Sequence, residues 1–126
     1  MKENSASALI VAKPGPLRDG LHALMTTMSQ IGNTYNADDV PSALNMTAED
    51  CPVLVLMDAG PNGSDARMAV WQIKARCPQT RCVFLANDVQ QRREAEAAGA
   101  DAALLKGIST EKLVATIVGL LPRPIV

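Results

Sequence analysis

The sequence predicts a three-layer α/β/α open sheet with five parallel strands. Apolar runs of strand length alternate with helix-period segments five times along the chain. The runs are continuously apolar rather than alternating, as in strands covered on both faces by helices. The length, 126 residues, suits one domain and is too short for an eight-fold barrel. Five strand–helix units with right-handed crossovers then give the layered sheet.

Each element has its own signal. Ala8 to Ala12 reads as the first strand. The helix after it carries Leu17, Leu21, Leu24, Met25 and Met28 on one stripe, with Pro16 in its first turn and Gly32 just past its end. A second strand centres on Asn33-Thr34-Tyr35 and has the weakest pattern. Asp38 or Asp39 caps a short helix with Val40, Ala43, Leu44 and Ala48 inside, and Pro52 stops it. Val53 to Asp58 is the third strand. Ser64 or Asp65 caps the third helix, striped by Ala66, Ala69, Val70, Ile73 and Cys77 and closed by Pro78. The fourth strand is Arg81 to Ala86. Asp88 with Gln91 forms a capping box for a helix that Gly99 ends. That helix is rich in Ala and Glu, so its anchoring is weak. Ala102 to Leu105 is the fifth strand, and Ser109 caps a last helix with Leu113, Val114, Ile117, Leu120 and Leu121 facing inward. The domain spans residues 1–121, and 122–126 form a tail or the start of a linker.

Composition narrows the function. Hydrophobic residues make up 48% of the chain and aromatics 2%, so the core is aliphatic and base-stacking surfaces are not expected. A net charge of -1 without a basic cluster argues against direct nucleic-acid binding. Cys51, Cys77 and Cys82 show no C-x-x-C spacing and read as buried small residues in a reducing compartment. The apolar run from Ala6 to Ala12 is too short for a signal peptide or a membrane span, which makes a soluble cytoplasmic protein the expectation.

In such a sheet the strands' carboxyl ends share one edge, where ligands bind. Reading those ends collects Ala12-Lys13, Asp58, Ala86-Asn87 and Lys106. A carboxylate hemmed by lysines has two readings, a turn cap or a functional acid. The loop Lys13-Pro14-Gly15-Pro16 has prolines where a phosphate-cradling loop uses donors, which weighs against a flavin carrier. No Ser–His–acid set or metal-spaced His/Cys group appears, so no enzymatic activity is expected. His22 reads as a surface residue, Trp71 as a packing or half-exposed one, and Arg92, Arg93, Glu94 and Glu96 as a solvated helix face that also offers itself to a partner.

The order and spacing of Arg18-Asp19-Gly20-Leu21, Leu56-Met57-Asp58 with Gly63 and Asp65, Ala98-Gly99-Ala100-Asp101 and Leu104-Leu105-Lys106-Gly107 carry a family likeness. The chain resembles the receiver domain of bacterial two-component response regulators over about residues 6–121, most closely receivers that precede helix-turn-helix output domains. The resemblance implies a flavodoxin-like sheet in the order 2-1-3-4-5. It makes Asp58 the phosphoacceptor position and Lys106 the phosphate-contact position. It also marks departures. Ala12 and Lys13 stand where the family has two acids that hold Mg²⁺, Ala86 replaces the sensing hydroxyl, and Ala103 replaces the aromatic that swings inward.

These four substitutions predict a pseudo-receiver without a metal or other cofactor, in which Lys13 reaches Asp58 and stands in for the metal charge. Such a module works by protein–protein interaction with weak or no Mg²⁺-dependent phosphorylation. The alternative is a working phosphoacceptor receiver of a transcriptional regulator, phosphorylated on Asp58 by a histidine kinase. Expected partners are a histidine kinase or an output protein, with a homodimer as a further option, and neither nucleic acid nor membrane. The resemblance places the interfaces on the fourth helix, fifth strand and fifth helix, or on the first and fifth helices.

Overall fold

The computed structural model describes residues 6–58, 60 and 64–121, with side chains in the third helix described from Arg67 onward. Strands β1 (Ser7–Val11), β2 (Asn33–Ala37), β3 (Leu54–Asp58), β4 (Arg81–Ala86) and β5 (Ala102–Leu105) alternate with α1 (Pro16–Thr26), α2 (Val40–Thr47), α3 (Ser64–Arg76), α4 (Val89–Ala98) and α5 (Thr110–Leu120). The strands form one sheet in the order β2-β1-β3-β4-β5, and every pairing is parallel. The predicted architecture and strand order are both present. Capping of α3 by Ser64 or Asp65, its inward Ala66, and the tail at 122–126 lie outside the described side chains or residues.

The pleat divides the core into two layers. Leu9, Val11, Val55, Met57, Cys82, Phe84, Ala86 and Ala103 pack with Ala43 of α2, Ala69, Val70 and Ile73 of α3 and Ala95 of α4. The alternate residues, including Ala8, Ile10, Ala12, Leu54, Leu56, Val83 and Leu85, pack with Leu21 and Met25 of α1 and Leu113 and Ile117 of α5. Period-2 strands whose two faces are both apolar leave no solvated side, which is why β1, β3 and β4 read as continuous runs. Strand β2 at the edge is mostly exposed, and this explains its weak sequence signal.

Helix boundaries follow their caps. Asp39 accepts from the Ser42 N–H, Asp88 from the Gln91 N–H and Ser109 from the Lys112 N–H, each satisfying a donor left over in a first turn. The Gln91 Oε1 accepts from the Asn87 N–H at 2.8 Å, so the box closes one residue earlier than the usual pattern. Gly99 ends α4 at φ 113°, in the left-handed region glycine tolerates. Helix α1 stops at Thr26, well short of Gly32, because the Thr26 and Thr27 hydroxyls donate to Ala23 O and Leu24 O and compete with the next helical turn. Leu17 is exposed, Met28 packs into the core from the following loop, and Ala48 faces solvent rather than the core.

The amino-terminal edge of the sheet is cross-tied. Asp101 Oδ2 accepts from the Cys82 N–H at 2.8 Å and from Lys74 Nζ at 3.0 Å, while Oδ1 accepts from Arg81 at 3.3 Å. Burial works to raise the Asp101 pKa, but the Cys82 N–H and the Lys74 ammonium outweigh it and hold the carboxyl below its usual range. Lys74 also donates to Pro78 O and Thr80 O, and the Thr80 hydroxyl donates to Pro52 O. The cysteine expectation fails for two of three residues. Cys51 is exposed and bonded to Cys77 in a disulfide, with a Cα–Cα separation of 5.8 Å. Cys82 alone is the buried free thiol, pushed up to about 12 chiefly by burial.

Candidate functional site

The opposite, carboxyl-terminal edge gathers the residues singled out from the sequence. Asp58 closes β3 beside Leu85 of β4, and its side chain keeps 17% exposure at the bottom of the crevice. The turn after β5 brings Lys106 across, with the Lys106 N–H bonded to Ala86 O at 2.9 Å and Gly107 at φ 92°. Lys106 Nζ then lies 2.5 Å from Asp58 Oδ1. This is an ion pair that stands off the hydrogen-bond direction, for the buried Oδ1 accepts no aligned hydrogen bond among the described residues.

Lys13 does not join them. It is exposed on the loop after β1 and makes no ion pair with any described residue, so the predicted Lys13–Asp58 contact is absent. The cation beside the end of β1 is Arg18. Its Nη1 donates to Ala12 O at 3.4 Å and forms an ion pair with Asp38 at the end of β2. Its Nε is buried with no hydrogen-bond partner among the described residues. The sequence contained this residue within the Arg18-Asp19-Gly20-Leu21 match. Nothing in its spacing says that the guanidinium folds back over Ala12 rather than out to solvent.

Three of the four degenerate positions are buried and separate onto two faces of the sheet, and the fourth, Lys13, is on the exposed loop. Ala12 belongs to the layer under α1 and α5, whereas Ala86 and Ala103 belong to the layer under α4, next to Ala95. Ala86 is fully buried and Ala103 nearly so. A methyl group has no side-chain rotamers to exchange, so neither position can report a change at Asp58 by rotating. Asn87 adds a strap that sequence reading did not foresee. Its Nδ2 donates to Gly60 O at 2.7 Å, tying the β4–α4 loop to the turn after Asp58.

Divalent-cation chemistry fits this donor set poorly. Mg²⁺ takes hard oxygen ligands in octahedral geometry, usually through carboxylates with water and phosphate. Among the described side chains Asp58 is the acid facing Lys106, while Arg18, itself paired with Asp38, is beside Ala12. Among the described residues no group of three or more His, Cys, Asp or Glu side chains stands together as a metal site.

No protein-family model matches the sequence, and no curated protein matches it. Solved structures do. A LuxR family DNA-binding response regulator from Silicibacter pomeroyi superposes with a TM-score of 0.76 at 22% identity, covering 94% of this chain and 98% of that one. A LuxR family two-component response regulator from Aurantimonas sp. SI85-9A1 gives 0.80 at 21% identity, over 93% of this chain and 85% of that one. The signal receiver domain of a DNA-binding response regulator from Colwellia psychrerythraea 34H gives 0.75 at 19% identity, over 92% and 98%. The chain has the receiver fold. These identities carry the architecture of two-component receivers and leave this chain's chemistry to its own residues.

Of the remaining candidates, His22 is on the surface, with Nδ1 3.4 Å from Asn36 Oδ1. Of its two readings, packing or half-exposed, Trp71 takes the second. It is 60% exposed beside Met68 at 57%, along a groove of about 390 Å³ also lined by Arg67 and Ala98. In α4, Arg92 and Arg93 are uninvolved in ion pairs with described residues, whereas Glu94 pairs with Arg67 of α3 at 3.4 Å. No helix among the described residues is long and apolar enough to cross a membrane.

Proposed function

We propose that this receiver-fold chain is a non-catalytic signalling module of a bacterial two-component pathway. It acts in the cytoplasm by protein–protein interaction and has lost most or all Mg²⁺-dependent phosphorylation. The observation that carries this reading is the end of β1, where a buried Ala12 and an exposed Lys13 stand in place of two acids and Arg18 donates to Ala12 O. Asp58 therefore lacks the carboxylates expected beside it, and the Lys106 pair, which the family shares, does not replace them. The methyls at Ala86 and Ala103 support the same conclusion, because phosphoryl-driven switching needs a group that can change rotamer. Its partners are a histidine kinase or an output protein, met through the outer faces of α4, β5 and α5 or of α1 and α5. Val89, Val118 and Leu17 keep apolar surface exposed on these helices.

Intact-mass measurement after incubation with a small phosphodonor and Mg²⁺ tests the reading. The expected result is no Mg²⁺-dependent addition of a phosphoryl group above that of the Asp58→Asn variant. The double variant Ala12→Asp, Lys13→Asp is expected to gain such addition, since it returns two carboxylates to the end of β1. Rapid Mg²⁺-dependent addition to the unaltered protein would establish the second reading, a phosphoacceptor receiver of a transcriptional regulator served by a histidine kinase. That reading is favoured by the partly exposed position of Asp58 at the carboxyl end of β3, opposite Lys106.

A further inference from the structure

We propose that Cys51 and Cys77 form a reversible redox site, opened by thiol–disulfide exchange with a dithiol, whose state sets the freedom of the 48–53 loop. The proposal is independent of the chemistry at Asp58, which lies at the other edge of the sheet. Its basis is an asymmetry in what the bond holds. Cys51 is exposed in the loop before β3, open to a thiolate from solvent, while Cys77 is buried just past α3.

The elements on either side are anchored without the disulfide. Helix α3 keeps Val70 and Ile73 fully buried, Lys74 bound to Asp101, and Arg76 Nη1 donating to Leu44 O at 2.9 Å. Strand β3 starts from a Val53 N–H bonded to Ser7 O and a Pro52 O bonded by Thr80. Between them, Ala48, Glu49 and Asp50 are exposed, and the Ala48 N–H bond to Asn45 O is the one hydrogen bond of that stretch among the described residues. Breaking the disulfide therefore frees a short exposed loop and leaves the strand and helix in place. That loop borders a groove of about 260 Å³ lined by Tyr35, Met46, Thr47, Asp50 and Pro52, so the redox state alters one wall of it.

The chemistry balances in two steps. A thiolate of the dithiol attacks Cys51 Sγ, the bond to Cys77 breaks, and Cys77 leaves as a thiolate that takes up a proton. The second thiol of the dithiol then attacks the mixed disulfide and releases Cys51, closing its own disulfide. Two electrons and two protons pass to the cysteines, and a disulfide reagent reverses the sequence.

The test uses the full chain in mixtures of reduced and oxidised dithiothreitol, followed by maleimide capping, intact mass and hydrogen exchange. Reduction is expected to expose Cys51 and Cys77 to capping and leave far-UV circular dichroism unchanged. Exchange within residues 45–53 should rise about tenfold through local opening, the amides of β3 and α3 should speed up only as far as the fall in global stability dictates, and oxidised dithiothreitol should restore the bond. The Cys51→Ser variant should reproduce the reduced exchange pattern with or without dithiothreitol. The proposal is overturned if reduction or Cys51→Ser speeds exchange in β3 and α3 beyond what the fall in global stability measured by denaturant accounts for, if residues 45–53 show no local rise, or if the reduced pair does not close again.

Discussion

At the amino-terminal edge of the sheet, Asp101 joins Lys74, Arg81 and the Cys82 backbone, Thr80 bonds Pro52, and a disulfide joins Cys51 to Cys77. At the carboxyl-terminal edge, Lys106 faces Asp58, Arg18 reaches Asp38, and Asn87 donates to Gly60. The first set shares partners, with Asp101 and Lys74 each making several bonds, so each tie restrains the next. In the second set the contacts share no residue, and each involves a different loop. Cross-strand stability is concentrated on the side away from the crevice, which leaves the loops around Asp58 free to differ in sequence without costing the fold. Ala12, Ala86 and Ala103 themselves are not loop residues but fill the two core layers at that edge with methyl groups.

The sharpest way to break this contrast is to remove the disulfide. Closing a loop between residues 26 apart lowers the entropy of the unfolded chain, so reduction should cost on the order of 3 to 4 kcal/mol. Denaturant unfolding with and without dithiothreitol measures it. A cost near zero would mean that the amino-terminal edge does not depend on its covalent tie.

Next in size is Asp101→Asn. Asn keeps one acceptor but removes the charge that meets Lys74 and Arg81, so part of the network is left unsatisfied. The expected loss is about 2 to 3 kcal/mol, read as a fall in the denaturation midpoint. The same residue gives a pH signature. Its folded pKa is lowered, so its contribution is present above the unfolded carboxylate value near about 4 and disappears as pH falls through the folded value. The acid limb of stability measured from neutral pH down to about pH 2 should therefore be shallower in Asp101→Asn than in the unaltered protein.

Much of the fold was legible because its punctuation is local. Strands β4 and β5 begin and end where the sequence placed them, since Pro78, Asp88 and Gly99 mark helix and turn boundaries through their own backbones. Helix α1 was overextended because the hydroxyls of Thr26 and Thr27 act on carbonyls rather than on hydrophobic pattern. The site was half legible. The sheet order delivers Asp58 and Lys106 to one edge, but which cation borders Ala12 depends on how a long side chain folds. Arg18 takes that place and Lys13 does not. The Cys51–Cys77 bond was invisible for a similar reason, because no local spacing connects the end of α3 to the loop before β3.

The smallest effect belongs to the crevice itself. Lys106→Ala removes the partner of Asp58, yet the two side chains keep 32% and 17% exposure, so water replaces much of what the ammonium supplied. Pairs of this kind contribute about 0 to 1 kcal/mol, and the midpoint of denaturation should hardly move. The variant is more informative about access than about stability. With Lys106 gone, Asp58 keeps its place at the end of β3 but loses the charge standing 2.5 Å from Oδ1. If electrostatic occupation by cations excludes a metal, Lys106→Ala should bind Mn²⁺ more tightly than the unaltered protein, by up to about tenfold in a paramagnetic broadening titration. Unchanged broadening would place the obstacle at Arg18 and Ala12, and the Ala12→Asp variant would then be the one to show it.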